Sequence, residues 1–170
     1  ATYGEMANLE ECDKIAADAL TAFGTIDVCV NNCGAVLQMH NPDWMDIPWG
    51  KWMRSYAVNF MSGMRMAQHF VPGMKAENWG RVINISSTGG TQIDGVLPDY
   101  SAPKAALNNF TGNLAKALGP HGITVNAVVP GAMLTPAVDR WIAELKKQHD
   151  WGDDFAENER IYTQELIPQS

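Results

Sequence analysis

Cysteine is scarce in this chain, and the three present, Cys12, Cys29 and Cys33, are odd in number and nowhere spaced as CxxC. That sets aside a disulfide framework and a zinc site, and leaves reduced thiols in a cytoplasmic compartment as the expectation. Histidine is as sparse. His40, His69, His121 and His149 include no pair at metal-ligand spacing on one helix face, so no metal is expected. Positive charge is short too: 12 Lys and Arg stand against 19 Asp and Glu, a formal net charge of −7, with no basic patch. Nucleic acid is therefore not an expected partner. No uninterrupted apolar run approaches the ~20 residues of a membrane span, and no signal peptide is visible. The late acidic residues Asp153, Asp154, Glu157 and Glu159 read as a solvated face. The sequence starts at Ala1 without methionine and stops abruptly at Ser170, so a piece of a longer chain is expected.

What is present suffices for one domain with a sizeable core: 170 residues, 46% hydrophobic and 18% charged. Asn8-Leu9-Glu10-Glu11 has the form of a capping box, and Leu9, Cys12, Ala16, Ala19 and Phe23 follow as a helical stripe closed by Gly24. IDVCV, residues 26–30, predicts a buried strand that ends in Asn31-Asn32-Cys33-Gly34. A long helix is predicted from about Pro48 to Phe70, with one stripe through Met53, Tyr56, Phe60, Met64 and Ala67. A second stripe carries Ser55, Asn59, Ser62, Gly63 and Met66, so this helix is expected to pack on two sides. RVINIS, residues 81–86, and ITVNAVV, residues 123–129, predict two further strands. Strands alternating with helices of this length give an α/β fold, a doubly wound parallel sheet with helices on both faces. Ligands bind such sheets beyond the carboxyl ends of the strands. Polar clusters fall there each time: NNCG, Ser86-Ser87 and PGAMLT.

A helix is predicted from Tyr100 to Leu118, stopped by Gly119-Pro120, with Pro103 tolerated near its start. Its apolar stripe of Leu107, Phe110, Leu114 and Leu118, extended backwards, passes through Lys104 and Tyr100. A phenol and an ammonium one turn apart then face the body of the protein. The plain reading is that Tyr100 packs and Lys104 snorkels to water. The functional reading is that a cation about 4 Å from the phenol, at an effective dielectric near 20, favours the phenolate by roughly 4 kcal/mol. That would bring the phenol toward neutrality, as general acid–base work requires.

Five motifs in order resemble the short-chain dehydrogenase/reductase family over about the first 135 residues. The family's NNAG is similar to Asn31-Asn32-Cys33-Gly34, with Cys33 for the usual alanine, and its helix asparagine matches Asn59. Its serine, thirteen residues before the tyrosine, matches Ser87; its YxxxK matches Tyr100 to Lys104; its PGxxxT matches Pro130 to Thr135. The resemblance implies a Rossmann-like fold and hydride transfer between NAD or NADP and a secondary alcohol or ketone. It implies Tyr100 as the proton donor or acceptor, Lys104 holding the phenol's pKa down and bonding the cofactor ribose, Ser87 on the substrate oxygen, and Asn59 fixing a water. It assigns cofactor contacts to Asn32, Cys33, Gly34, Tyr100, Lys104, Pro130, Gly131, Met133 and Thr135. Ser86, Asn84 and Asn126 are read as structural, the two asparagines satisfying backbone between strands.

The family's Gly-rich phosphate turn has no counterpart here, since Gly89-Gly90 follows the wrong strand. The first βαβ turns are expected to be absent, about 60 residues at about 30 each. That would leave an apolar strand edge bare, so the 170 residues alone are expected to fold poorly and be inactive. Residues 1–170 are read as a partial single domain, 1–135 its core and 136–165 a substrate lid. There Trp141, Trp151, Phe155 and Tyr162 either cover an apolar substrate or pack the lid. Trp44, Trp49 and Trp52 are expected to pack the entry to the long helix. The resemblance implies that this helix and the Tyr100 helix form the interface of a homotetramer or homodimer, which the two-sided patterning fits. Other readings are a 3-oxoacyl-thioester reductase of acyl carrier protein, a family-like binding protein without turnover, and an inactive remnant.

Overall fold

Asn8 opens the first helix as its side chain predicts. Its Oδ1 accepts from the backbone N–H of Glu10 at 2.9 Å and of Glu11 at 3.4 Å. The box is not reciprocal, because the Glu11 carboxylate accepts instead from the Glu5 N–H at 2.7 Å. In the computed structural model, which describes residues 1–37, 44–92, 97–131, 133, 135, 136, 140, 142, 143, 146, 147 and 152–161, helix α1 spans Leu9–Phe23. Cys12 and Ala16 are fully buried, whereas the outer members of the expected stripe, Leu9 and Phe23, are exposed. Gly24 ends the helix at φ 77°, in the region only glycine enters freely.

Three strands follow, β1 (Val28–Asn31), β2 (Gly80–Ile85) and β3 (Ile123–Val128), in the order β1-β2-β3 and parallel throughout. The register aligns Cys29, Val82 and Val125. These three join Cys12 and Ala16 of α1, Met66, Phe70 and Met74 of α3 (Ser62–Ala76) and Leu118 of α4 (Pro98–Leu118) in one core cluster. Each valine, leucine, phenylalanine or methionine among them contributes about 1.5–3 kcal/mol on leaving water. The parallel α/β class is as expected, but the cover differs from the expectation. The long helices of the described residues share this single face, and Val28, Val30 and Val128 on the other stay about half exposed. The pleat is the reason: an apolar run such as IDVCV sends alternate side chains to opposite faces, and only one face meets the helices here.

The long helix runs further than its stripe suggested, to Ala76, and it is not uniform. α2 (Trp49–Tyr56) passes through a π-turn at Ala57–Met61 into α3. One extra residue in a turn re-aims the following side chains, and such bulges recur at functional positions. The turn holds Asn59, which is 2% exposed. Trp49, expected to pack the helix entry, is instead 76% exposed, and Trp44 is 64% exposed.

The carboxyl ends of the strands share one edge of the sheet. Pairing continues past β2 and β3, with the Ser86 N–H donating to Val128 O at 2.8 Å and the Thr88 N–H to Pro130 O at 2.9 Å. A 3₁₀ turn at Thr88–Gly90 leads back towards α4. Beyond β3, a short helix α5 (Phe155–Ile161) falls in the segment read as a lid. Trp141, Trp151 and Tyr162, and the side chain of Phe155, lie outside the described residues.

Candidate functional site

α4 begins at Pro98, where a missing N–H costs nothing, and carries Tyr100 in its first turn and Lys104 one turn on. Pro103 lies in the second turn and is fully buried. Lys104 is buried as well, and its stem does not snorkel out. Its Nζ donates to the carbonyl of Ile85, the last residue of β2, at 2.7 Å. The ammonium lies 5.7 Å from the centroid of the Tyr100 ring. Burial lowers the Lys104 pKa below the usual lysine value. Burial also raises that of Tyr100, opposed by a hydrogen bond with the Ser87 side chain. Desolvation thus disfavours the charged form of each group.

Ser87 follows β2 and starts the 3₁₀ turn. Its Oγ accepts from the Gly89 N–H at 3.2 Å, capping the 3₁₀ turn, and Gly89 lies between it and the Tyr100 ring, with a Cβ built there 3.6 Å from Ser87 Oγ and 3.9 Å from Tyr100 Cδ1. Ser86 points the other way, its Oγ donating to the backbone oxygen of Lys104 at 3.3 Å. Gly89-Gly90 is a packing device: a Cβ on Gly90 would come within 2.7 Å of the Lys104 backbone carbon. The turn can therefore lie flat on α4 and bring Ser87 to Tyr100.

Asn59 is brought to the same place from the other side. Its Oδ1 accepts from the Ala35 N–H at 3.0 Å, and its Nδ2 donates to Ala35 O at 2.9 Å and to Ser55 Oγ at 3.1 Å. This clamp holds the loop after β1 against Lys104. A Cβ built on Gly34 would sit 2.9 Å from Asn59 Oδ1 and 3.1 Å from Lys104 Nζ. Ser55 was legible only as a member of the second helical stripe; its i, i+4 spacing to Asn59 was the available signal. Asn59, Gly34, Lys104, Tyr100 and Ser87 are thus one contiguous cluster drawn from four segments of the chain.

Of the other residues singled out, Asn32 and Cys33 lie exposed beside Gly34, and Pro130 and Gly131 lie beside Thr88 on the far side of Ser87. Met133 and Thr135 are exposed further along that segment. Asn84 is structural, as expected, but it bonds side chains rather than backbone. Asn31 Nδ2 donates to Asn84 Oδ1, and Asn84 Nδ2 to Thr111 Oγ1, both at 2.8 Å. Asn126 is exposed on the open face of β3. Among the described residues no group of His, Cys, Asp and Glu could hold a metal ion, and no helix is long and apolar enough to cross a membrane.

Known proteins share this arrangement of strands and helices. The short chain dehydrogenase model matches residues 1–146. An uncharacterized oxidoreductase of Bacillus subtilis, YvrD, is 34% identical over 80% of this chain and 51% of its own length. D-beta-hydroxybutyrate dehydrogenase of Cupriavidus necator is 33% identical over 81% of this chain and 52% of its own length. L-sorbose reductase of Gluconobacter frateurii, solved with NADPH and L-sorbose, superposes with a TM-score of 0.78 at 29% identity, over 94% of this chain and 57% of that one. The chain thus spans about half the length of the curated relatives it matches. With a family model matched over most of its residues, this chain belongs to the short-chain dehydrogenase family.

Proposed function

We propose that this chain carries the reaction centre of an NAD(P)-dependent oxidoreductase that interconverts a secondary alcohol and a ketone. The observation that carries the reading is the buried ammonium of Lys104, 5.7 Å from the centroid of the Tyr100 ring, with the Ser87 hydroxyl close by at the carboxyl edge of a parallel sheet. The names of the similar proteins, a β-hydroxybutyrate dehydrogenase and a reductase solved with NADPH and L-sorbose, support the same class of small-molecule substrate and of cofactor.

The residues present fit a nicotinamide cofactor laid across the sheet edge. Exposed backbone at Asn32, Cys33 and Gly34 lies on one side of Ser87 and at Gly131 on the other, and Ile85 O takes only one of the three N–H donors of Lys104. When bound, the cofactor supplies the carbon that gives or takes hydride. Tyr100 moves a proton to the substrate oxygen in reduction and from it in oxidation. Ser87 donates a hydrogen bond to that oxygen, where negative charge develops. Lys104 directs its other N–H donors towards the phenol and the cofactor's ribose. The carboxamide of Asn59 is committed to Ala35 and Ser55, so it acts by holding the loop that confines Lys104. Asn32, Cys33 and Gly34 line the adenosine side; Pro130, Gly131, Met133 and Thr135 line the nicotinamide side.

Self-association belongs to the same reading. A groove of about 480 Å³ between the outer faces of α3 and α4 is lined by Met64, Ala67, Val71, Phe110 and Leu114. It is the surface proposed to pair with a second copy in a cytoplasmic homo-oligomer.

The test is turnover of alcohol, ketone and 3-oxoacyl-thioester panels with NAD(H) and NADP(H), with Tyr100→Phe as the control. Loss of a general acid–base group lowers kcat about 10²–10⁴-fold. A Tyr100→Phe protein that turns over like the parent overturns the reading, and activity on thioesters alone replaces the alcohol–ketone substrate class.

A further inference from the structure

The cluster around Lys104 includes a side chain with no role so far. Ser55 is completely buried, and its Oγ lies 3.1 Å from Nδ2 of Asn59, one turn along the helix. The other three polar contacts of the clamp belong to a loop and a strand. Ala35 N–H and O hold the near side of the Asn59 carboxamide, and Lys104 Nζ is held by Ile85 O. Without Ser55 Oγ the second Nδ2 hydrogen would point into a dry interior, where an unmade hydrogen bond is costly. The carboxamide would rotate or withdraw to find another acceptor, and its grip on Ala35 would weaken. The loop has little room to adjust on the other side, because Gly34 lies directly against Asn59 Oδ1 and Lys104 Nζ.

We infer that Ser55 is a positioning residue for Lys104: by fixing the carboxamide of Asn59 in the π-turn, it holds Gly34–Ala35 where they confine the lysine's ammonium. The effect travels through four named contacts and requires no ligand. Its consequence for catalysis rests on the function proposed above.

A matched comparison lies on the same helix. Ser62 is also buried, at 3% exposed, and its Oγ donates to Val58 O at 2.9 Å, a bond internal to the helix. Ser62→Ala therefore loses a buried hydroxyl without touching the Asn59 clamp. Amide hydrogen exchange of a peptide covering residues 33–37 should speed up at least about tenfold in Ser55→Ala and stay at the parental rate in Ser62→Ala. In turnover assays kcat should fall about tenfold in Ser55→Ala alone, with KM for the alcohol or ketone within about twofold. If Ser55→Ala does not fold, Ser55→Cys, close in size and a poor acceptor, takes its place in both measurements. Equal exchange at 33–37 in the Ser55 and Ser62 variants overturns the inference. If exchange responds as expected while Tyr100→Phe retains full turnover, the positioning of the loop stands and the proposed reaction falls. If Tyr100→Phe abolishes turnover while the Ser55 and Ser62 variants have the same kcat, the inference falls and the reaction stands.

Discussion

Gly34 and Lys104 meet at a separation that leaves room only for hydrogen. A Cβ on Gly34 would lie 3.1 Å from Lys104 Nζ and 2.9 Å from Asn59 Oδ1, closer than carbon normally approaches either atom. The glycine at the end of the NNCG turn is thus a spacer that sets how far the buried ammonium can move. Its backbone also remains open to solvent on the outer side.

Gly34→Ala should accordingly displace the lysine, the asparagine or the loop. A loss of kcat/KM of about tenfold, or about 1.4 kcal/mol, is expected. Gly112 in α4 is the contrast. Nothing lies within 4 Å of a Cβ built there, so Gly112→Ala should stabilise the helix by about 0.5–1 kcal/mol. Steady-state kinetics check the loss in Gly34→Ala, and thermal unfolding the gain in Gly112→Ala.

The buried polar chain Asn31–Asn84–Thr111 joins β1, β2 and α4, and Thr111 Oγ1 passes its own hydrogen to Leu107 O at 2.7 Å. Asn84→Leu keeps the branching at Cγ but leaves the Asn31 amide without its short acceptor. A destabilisation of about 1–3 kcal/mol is expected from denaturant titration. Adding Asn31→Leu should cost less than the sum of the two single changes, since the two side chains share one bond.

α1 is tied to α3 by Asp13, whose carboxylate receives Arg65 Nη2 at 2.8 Å and lies 2.8 Å from His69 Nε2. These hydrogen bonds, Arg65 first, hold the Asp13 pKa well below the usual carboxylate value. A depressed pKa contributes stability above the unfolded value near ~3.9, and that contribution is lost as pH falls below it towards the folded value. Asp13→Asn should lower Tm at pH 7, by an amount limited by the part-exposed setting of the pair. The difference from the parent should persist to about pH 4 and shrink below it. A difference that stayed constant down to pH 2 would rule out the ion pair as its source.

β1 lies at the edge of the sheet with Val28 48% and Val30 55% exposed, an apolar strand beside unpaired backbone. Such an edge recruits other strands, and lysine is the residue proteins use to blunt it. Expressed as the 170 residues given, the chain should scatter light at micromolar concentration, and Val30→Lys should reduce that scattering. Monomeric behaviour of the unsubstituted 170 residues would contradict this.

Much of the molecule was legible in local pattern. Alternating apolar runs and amphipathic stripes are set by backbone period, so the three parallel strands and the helices between them could be read without any contact information. Asn8 as a cap, Gly24 as a stop and Tyr100 above Lys104 depend on neighbours within four residues, and each is found. The fivefold motif pattern located the residues that gather at the sheet edge.

Only the tertiary structure decided the rest, because it depends on groups brought together from distant parts of the chain. Which face of IDVCV meets the helices, the approach of Gly34 to Lys104 and the bond from Asp13 to His69 each span long sequence separations. The π-turn at Ala57–Met61 leaves no periodic signature, since five residues are too few to show a change of pitch. The protonation of Tyr100 is the clearest case. Sequence spacing puts a cation one turn away, yet burial of the ring raises the phenol's pKa, and the ammonium bonds Ile85 O. Neither the dry surroundings of a side chain nor the acceptor its neighbour prefers is written in a spacing of four.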